Sequence, residues 1–193
     1  REKRKMNYKG KNEFYKNNPW DRGHLARRKS LCWGSKKEAI KANYDSFCWA
    51  NITLQHKDIN QGNWGQLEEW VYEKLSLESS NNKLSVFTGP IYGIDSIEYC
   101  GSNTFLGCGV FIPSGFFKVI CYVDKNDKLS TISFIIRQQK YLNIGILSLT
   151  ENLKVYEVSI KKIMEETKII FPENIVKSDV YSTALSTKET INR

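Results

Sequence analysis

Residues 47–76, FCWANITLQHKDINQGNWGQLEEWVYEKLS, contain the change of pattern that decides the fold. The first part, through Leu54, is rich in aromatic and β-branched residues, which predicts a buried strand over residues 47–54. From about Asn60 to Ser76, apolar residues recur at intervals of three and four, as on one face of a helix. These residues are Trp64, Leu67, Trp70, Val71 and Leu75. A strand is therefore expected to lead into an amphipathic helix.

Three segments are predicted on the N-terminal side of residues 47–76. Residues 1–20 are polar and show no convincing period, so we expect a partly extended lead-in. A short strand is predicted over residues 21–25. A short helix is predicted from Ser35 to Tyr44, with Ser35 as the N-cap, because serine accepts hydrogen bonds from the first free amides of a helix.

The second half of the chain favours β-structure. Strands are predicted over 86–89, 108–112, 116–123 and 129–136, with a hairpin turn at 124–127 and a late helix over 159–167. Together these elements predict an α+β fold, in which a mostly antiparallel sheet has helices at its flanks. No repeat or linker divides the sequence, so we expect one domain over residues 1–193.

Positive charge is concentrated in the N-terminal part. Residues 1–50 contain 14 Lys and Arg against 5 Asp and Glu, whereas residues 51–193 contain 15 against 16. This asymmetry indicates a surface for a polyanion, and the alternative is a solvated lysine-rich N-terminus. No stretch approaches the roughly 20 apolar residues of a membrane helix, so no membrane span is expected.

The five cysteines are scattered and odd in number: Cys32, Cys48, Cys100, Cys108 and Cys121. They form no C-x-x-C pair, which argues against a structural zinc site. A hairpin could bring Cys100 and Cys108 together. We interpret the thiols as mostly buried and free, which favours a reducing, intracellular compartment. Because the sequence begins at Arg1, a targeting segment or a fused regulatory domain could precede it.

Polar side chains suited to acid–base and metal chemistry cluster in two places. His24 follows Arg22 and Gly23, and an imidazole is well suited to accept a proton near neutral pH. Asn60 and Glu68 are eight residues apart on the predicted helix, so they lie about 80° apart around its axis and can face one cleft. The alternatives are a surface histidine, a capping asparagine and a solvated glutamate.

Three motifs in this order carry a family resemblance. Asp21-Arg22-Gly23-His24-Leu25, then Asn51-Ile52-Thr53-Leu54-Gln55, then Asn60-Gln61-Gly62-Asn63-Trp64 with Leu67-Glu68 resemble the DNA/RNA non-specific endonucleases, of the endonuclease G and sugar-non-specific nuclease type. Similarity continues at 87–92, 112–120 and 158–160, and so covers nearly the whole chain. The resemblance implies a ββα-metal finger within the α+β fold.

The resemblance also implies roles for individual residues. His24 would be the general base that activates water, and Arg22 would face the phosphate. Asn60 would ligate Mg²⁺ directly, with Mn²⁺ as a substitute, and Glu68 would hold the ion through water. A hydrated Mg²⁺ with one neutral amide ligand would keep nearly its full charge for the phosphate.

Further positions are expected to support the site or to bind substrate. Asn51 and Gln55 would buttress the catalytic residues. Tyr72 stands where some family members have an arginine, so a phosphate contact would be weaker here or would come from Arg27 or Arg28. The expected substrate-binding residues are Arg4, Arg27 and Arg28. Lys118 lies in an apolar strand and is interpreted as a snorkelling side chain or a backbone contact, outside the site.

These observations predict a Mg²⁺-dependent endonuclease that hydrolyses phosphodiester bonds of DNA and RNA. Contacts to the backbone alone would give little sequence discrimination. Two alternatives remain open: a phosphodiesterase or exonuclease with a narrower substrate, and a nucleic-acid-binding module without catalysis. A non-specific nuclease inside a cell must be restrained, so an inhibitor or a fused regulatory domain is an expected partner, as is a second copy in a homodimer.

Overall fold

The computed structural model describes residues 15–81, 83–93, 96–99, 110–138 and 157–182. Within these ranges the strands form two antiparallel sheets. The first sheet consists of β1 (Trp20–His24) and β2 (Ile52–His56). The second has the order β3 (Ser85–Ile91), β4 (Gly115–Val123) and β5 (Leu129–Arg137). With the helices that flank them, these sheets confirm the predicted α+β class.

Six α-helical segments are present in the described ranges: α1 (Arg28–Leu31), α2 (Lys36–Asp45), α3 (Gly65–Trp70), α4 (Ser76–Glu78), α5 (Ile160–Thr167) and α6 (Glu173–Lys177). The predicted helices at α2 and α5 are confirmed, and Ser35 and Ser159 are their N-caps, each accepting a backbone amide hydrogen bond. The short helices α1 and α6 were not predicted, because neither buries a residue and neither therefore shows an apolar period.

The strand predicted over residues 47–54 was wrong in its first half. After α2 the chain turns, residues Trp49–Asn51 form a single 3₁₀ turn, and β2 begins only at Ile52. The Asn51 side chain stabilises this turn, since its Nδ2 donates to the carbonyl oxygen of Ser46 at 2.9 Å. A local side-chain bond of this kind competes with strand pairing and is not visible in a pattern of β-branched residues.

The helix predicted from Asn60 to Ser76 is present but is not regular. Within Ile59–Trp64 two helical pieces meet at a kink at Gly62, whose φ of −99° and ψ of −110° are not helical, and Val71–Leu75 is wound as π-helix. The apolar period still reports the buried face correctly, because its members pack into the core. The kink occurs in Asn60-Gln61-Gly62-Asn63, a run that contains two asparagines and a glycine and so has weak helix propensity.

The core lies on both faces of the three-stranded sheet. Even-numbered side chains of β4 point to the sheet face that carries the helical segment after β2, which runs from Ile59 to Glu78. Odd-numbered side chains of β4 point to the face that carries α5 and α6. On the first face Trp64 and Leu67 pack against Phe116 and Ile120, among others. Lys118 lies between these two apolar positions and shares their parity. The helical segment after β2 is therefore anchored on β4.

The remaining strand predictions divide into confirmed and untested ones. The strands predicted over 116–123 and 129–136 are confirmed, and the strand predicted over 86–89 is longer, at 85–91. The predicted turn at 124–127 is confirmed by a hydrogen bond that Asp127 N donates to Asp124 O. Residues 110–112 pair with 97–99 through backbone hydrogen bonds. Residues 108–109, Cys100 and most of the lead-in lie outside the described residues.

Two further findings concern the described residues. Cys32, Cys48 and Cys121 are free thiols, but only Cys121 of these three is buried, so the expectation of mostly buried thiols was wrong for Cys32 and Cys48. No helix in the described part of the chain is long and apolar enough to cross a membrane.

Candidate active site

A cleft of about 930 Å³ opens beside the end of β1. It is lined by His24, Arg27, Arg28, Lys29, Cys32, Asn43, Phe47, Asn60, Glu68 and Tyr72. The side chains come from β1, from the chain between β1 and β2 that contains α1 and α2, and from the helical segment after β2. Of the predicted site residues, the structure brings together the histidine, the asparagine, the glutamate and two of the arginines.

His24 presents a free ring nitrogen within the cleft wall. It is the last residue of β1, and its ring meets the edge of Phe47 with centroids 4.8 Å apart. Its Nε2 is buried and makes no hydrogen bond to any described residue. Burial, and then the positive charge of Arg28, lower the pKa of His24 below its usual value. The imidazole is therefore neutral at pH 7 and able to accept a proton.

Asn60 is held in one orientation by an acidic residue of β1. The Asn60 Nδ2 donates to the Asp21 Oδ2 at 2.9 Å, and the Gln61 Nε2 donates to the same oxygen at 2.8 Å. With its nitrogen engaged in this way, the carboxamide has Oδ1 left as a ligand. Sequence reasoning missed Asp21 as a positioning residue. The signal was an acidic residue at the head of the His24 motif within a strongly basic segment.

Glu68 forms a buried ion pair with Lys118 of β4. The Lys118 Nζ lies 3.4 Å from the Glu68 Oε1 and 4.3 Å from the Trp64 ring centroid, and the Lys118 and Glu68 side chains are 3% and 11% exposed. Burial raises the pKa of Glu68, while Lys118 opposes that rise. Burial likewise lowers the pKa of Lys118, and Glu68 opposes that fall. The interpretation of Lys118 as a snorkelling side chain was wrong, because its ammonium group remains inside.

Arg27 crosses from the α1 end of the cleft to the helical segment. Its Nη2 pairs with Glu69, which also accepts from Lys29 Nζ at 3.1 Å. Its guanidinium carbon lies 5.9 Å from the Tyr72 ring centroid. The Arg27 Nη1 is buried and has no hydrogen-bond partner among the described residues. One edge of the guanidinium is thus fixed, and one nitrogen is left for an anion.

The structure places one predicted phosphate contact, Arg22, away from this cleft. Arg22 is exposed on β1, where its guanidinium carbon lies 5.6 Å from the Tyr15 ring centroid, and it does not line the cleft. His24, two positions further along the same strand, does line the cleft. Alternate residues of a strand lie on the same face, but here only one of the two lies at the cleft. Arg4 lies outside the described residues.

Asn51 and Gln55 lie behind the cleft rather than in it. The Asn51 side chain accepts from Ala26 N at 2.8 Å and donates to Ala26 O at 3.0 Å, which fixes the backbone just after His24. Gln55 is 1% exposed and packs against Gly23, where a Cβ would lie 2.2 Å from the Gln55 Oε1. The glycine of the motif is therefore needed so that β1 can lie against this amide.

The donor set around Asn60 suits a hydrated hard cation. The cleft offers amide and carboxylate oxygens from Asn60 and Glu68, which are the ligand types that Mg²⁺ prefers. Among the described residues no group of three or more His, Cys, Asp or Glu side chains could hold a metal ion. A fully protein-ligated zinc or iron site does not fit this part of the chain, whereas an ion that keeps most of its waters does.

The chain belongs to the DNA/RNA non-specific endonuclease family, whose profile matches residues 2–178. This match confirms the resemblance drawn from the three motifs.

Among curated relatives, the uncharacterized protein y4fB of Sinorhizobium fredii is 36% identical over 175 residues, which are 86% of this chain and 25% of that protein. Human mitochondrial endonuclease G is 30% identical over 117 residues, 58% of this chain and 37% of that one. The Serratia marcescens nuclease is 37% identical over 100 residues, 52% of this chain and 34% of that one. The chain thus spans between about a quarter and two fifths of these relatives.

A solved structure, the EndoG/EndoGI complex, contains a chain with a similar fold. The TM-score is 0.62 at 21% sequence identity, and the match covers 86% of this chain and 63% of the other. This similarity supports the α+β fold described above.

Proposed function

We propose that this protein is a Mg²⁺-dependent nuclease that hydrolyses phosphodiester bonds in DNA and RNA with little sequence preference. The observation that carries the proposal is the cleft that His24, Asn60 and Glu68 line together, where no described residue forms a hydrogen bond with the His24 Nε2. The membership in a nuclease family and the similarity to human endonuclease G and the Serratia nuclease support it.

Four residues of the cleft have separate roles in the proposed reaction. His24 accepts a proton at Nε2 from the water that attacks phosphorus, as a general base must. Asn60 would hold Mg²⁺ through Oδ1, and Glu68 would hold it through an intervening water. The ion, when bound, supplies positive charge that stabilises the developing charge on the phosphate and the leaving oxygen. Arg27 donates from Nη1 to a non-bridging phosphate oxygen.

Two further residues position these groups without contacting the substrate. Asp21 fixes the Asn60 carboxamide so that its oxygen is presented. Lys118 keeps a cation beside Glu68, which favours the carboxylate form in a site where burial disfavours it. Both contacts span different secondary-structure elements, so the relative placement of β1, β4 and the helical segment decides the geometry of the site.

The substrate range follows from the chemistry of the contacts. The proposed groups engage phosphate, which DNA and RNA share, and none of them reads a base edge. Mn²⁺ would substitute for Mg²⁺, since it also accepts carboxylate and carbonyl ligands in octahedral geometry.

Supercoiled plasmid and a single RNA transcript provide the test. With Mg²⁺ the wild-type protein should nick the circle and degrade the RNA, and EDTA should stop both reactions. The His24→Ala variant should lose at least about a hundredfold in rate, as expected for removal of a general base. His56→Ala is the matched control, because His56 does not line the cleft.

Three results would overturn the proposal or narrow it. Absence of cleavage by the wild type in Mg²⁺ and in Mn²⁺ would leave only a binding module. Cleavage of linear but not circular DNA would indicate an exonuclease. Equal rates for His24→Ala and wild type would remove His24 from the mechanism.

We also propose that another protein or a fused domain restrains the nuclease activity. The solved EndoG/EndoGI complex represents the inhibition of EndoG, the protein in it that shares this fold. We expect this nuclease to have a protein inhibitor or a fused regulatory domain as well, and a homodimer is a further expected assembly. Sedimentation of the purified protein tests the dimer directly.

A further inference from the structure

The connection between β1 and β2 carries unusually exposed aromatic side chains. Neither α1 nor α2 buries a residue. Trp33 is 75% exposed and Tyr44 is 74% exposed, while Ile40 is 48% exposed. Large apolar side chains left open in one segment mark an interaction surface more often than they serve stability.

This exposed face continues from the cleft. Asn43 of α2 and Cys32, which precedes Trp33, both line the cleft. At about 100° per residue, Lys36, Ile40 and Tyr44 lie within roughly 100° of Asn43 around the helix. We call Trp33, Lys36, Ile40 and Tyr44 the α2 face.

The charge on this side of the protein is positive. Arg27, Arg28 and Lys29 line the adjoining cleft, and Lys36 adds a fourth cation. The acidic residues of α2, Glu38 and Asp45, lie about 140° and 160° around the helix from Asn43, on its far side. Local partners also occupy them, since Glu38 accepts from the N-cap Ser35 and Asp45 pairs with Lys41. A second copy of the same basic face would be repelled, whereas a polyanion would be attracted.

We propose that the α2 face binds single-stranded nucleic acid, which it leads into the cleft. This inference rests on the proposed function. Exposed aromatic rings stack on unpaired bases, while the lysine and arginine side chains follow the phosphates. A duplex keeps its bases stacked on each other, so it gains the charge contacts but not the ring contacts. The rings therefore add affinity for a single strand that a duplex does not gain.

Fluorescence anisotropy with labelled oligonucleotides in EDTA tests the inference without any cleavage. The probes are a single strand of mixed sequence and the duplex made from it. The variant Trp33→Ala/Tyr44→Ala should bind the single strand at least about tenfold more weakly and the duplex almost unchanged. Neither side chain is buried, so the thermal unfolding midpoint should stay at the wild-type value.

Ile170→Ala is the matched control for loss of exposed apolar surface. Ile170 is 86% exposed and precedes Phe171, which packs in the core cluster on the sheet face opposite the cleft-lining helical segment. The control should bind both probes as the wild type does.

Three outcomes would overturn the inference. The first is single-strand affinity unchanged in the double variant. The second is an equal loss for single strand and duplex, which would mean that the rings do not contact bases. The third is a wild-type dimer that sediments as a monomer in the double variant, which would make the α2 face a homodimer interface. Loss of the proposed nuclease function would appear separately, as absence of plasmid cleavage by the wild type.

Discussion

Replacing Lys118 by methionine tests whether the buried ion pair sets the stability of the site. The substitution keeps most of the side-chain volume and removes the cation that pairs with Glu68. Glu68 is 11% exposed, so its carboxylate would remain nearly dehydrated and uncompensated. Breaking a buried pair from one side typically destabilises a protein by about 3–5 kcal/mol. We expect about 3 kcal/mol, because the carboxylate retains some contact with water.

Urea denaturation at pH 7 in EDTA measures this free energy of unfolding. Lys161→Met is the matched control, since Lys161 is exposed on α5, and it should change stability by less than about 0.5 kcal/mol. The double variant Lys118→Met/Glu68→Gln should recover most of the loss, because both charges are then absent. A loss below about 0.5 kcal/mol in Lys118→Met, or no recovery in the double variant, would refute the reasoning.

The pH dependence of the deficit provides a second check. Burial raises the pKa of Glu68 and Lys118 opposes this, so removing Lys118 raises that pKa further. A carboxyl group whose folded-state pKa is raised destabilises the fold increasingly as the pH rises above its unfolded-state pKa, and this loss is complete above the raised pKa. The deficit of Lys118→Met should therefore be largest at about pH 8 and should shrink as the pH falls toward about 5.

Three other predictions concern the motif around His24 and the basic surface. Burial and Arg28 lower the pKa of His24, so the acid limb of the kcat/KM profile should have its midpoint below about pH 6.5. The Arg28→Met substitution should move this midpoint upward, and a wild-type midpoint above about pH 6.5 would contradict the role of His24 as the base. Gly23→Ala should destabilise by about 1–3 kcal/mol, because the new Cβ would lie 2.2 Å from Oε1 of the buried Gln55, and an unchanged melting temperature would count against it. Affinity for duplex DNA should fall at least about tenfold between 50 and 200 mM salt, and a flat dependence would exclude phosphate contacts as its source.

Much of the region from β1 to the helical segment after β2 could be predicted because its signals are local. The strand at His24, the capped helix α2 and the apolar face that begins near Asn60 each depend on residues a few positions apart. The two motif residues Asn60 and Glu68 line one cleft, as their spacing indicated, even though the intervening kink at Gly62 makes the helix irregular.

The missed features depend on contacts between residues far apart in sequence. Lys118 lies 50 positions from Glu68, and Asp21 lies 39 positions from Asn60. No periodicity reports such a pair, so a lysine in an apolar strand looks anomalous until its partner is placed. Arg22 shows the converse error, because proximity in sequence to His24 did not bring it to the cleft. The extent of the domain over residues 1–193 stays a prediction.

Titration calorimetry with Mn²⁺ shows whether Asn60 holds the metal ion. Asn60 is the proposed ligand and His24 the proposed base, so the two substitutions should separate binding from catalysis. We expect one Mn²⁺ site in the wild type, its loss in Asn60→Ala, weaker binding in Asp21→Asn, and retention of the site in an inactive His24→Ala. Equal Mn²⁺ affinity in Asn60→Ala and wild type would contradict this expectation.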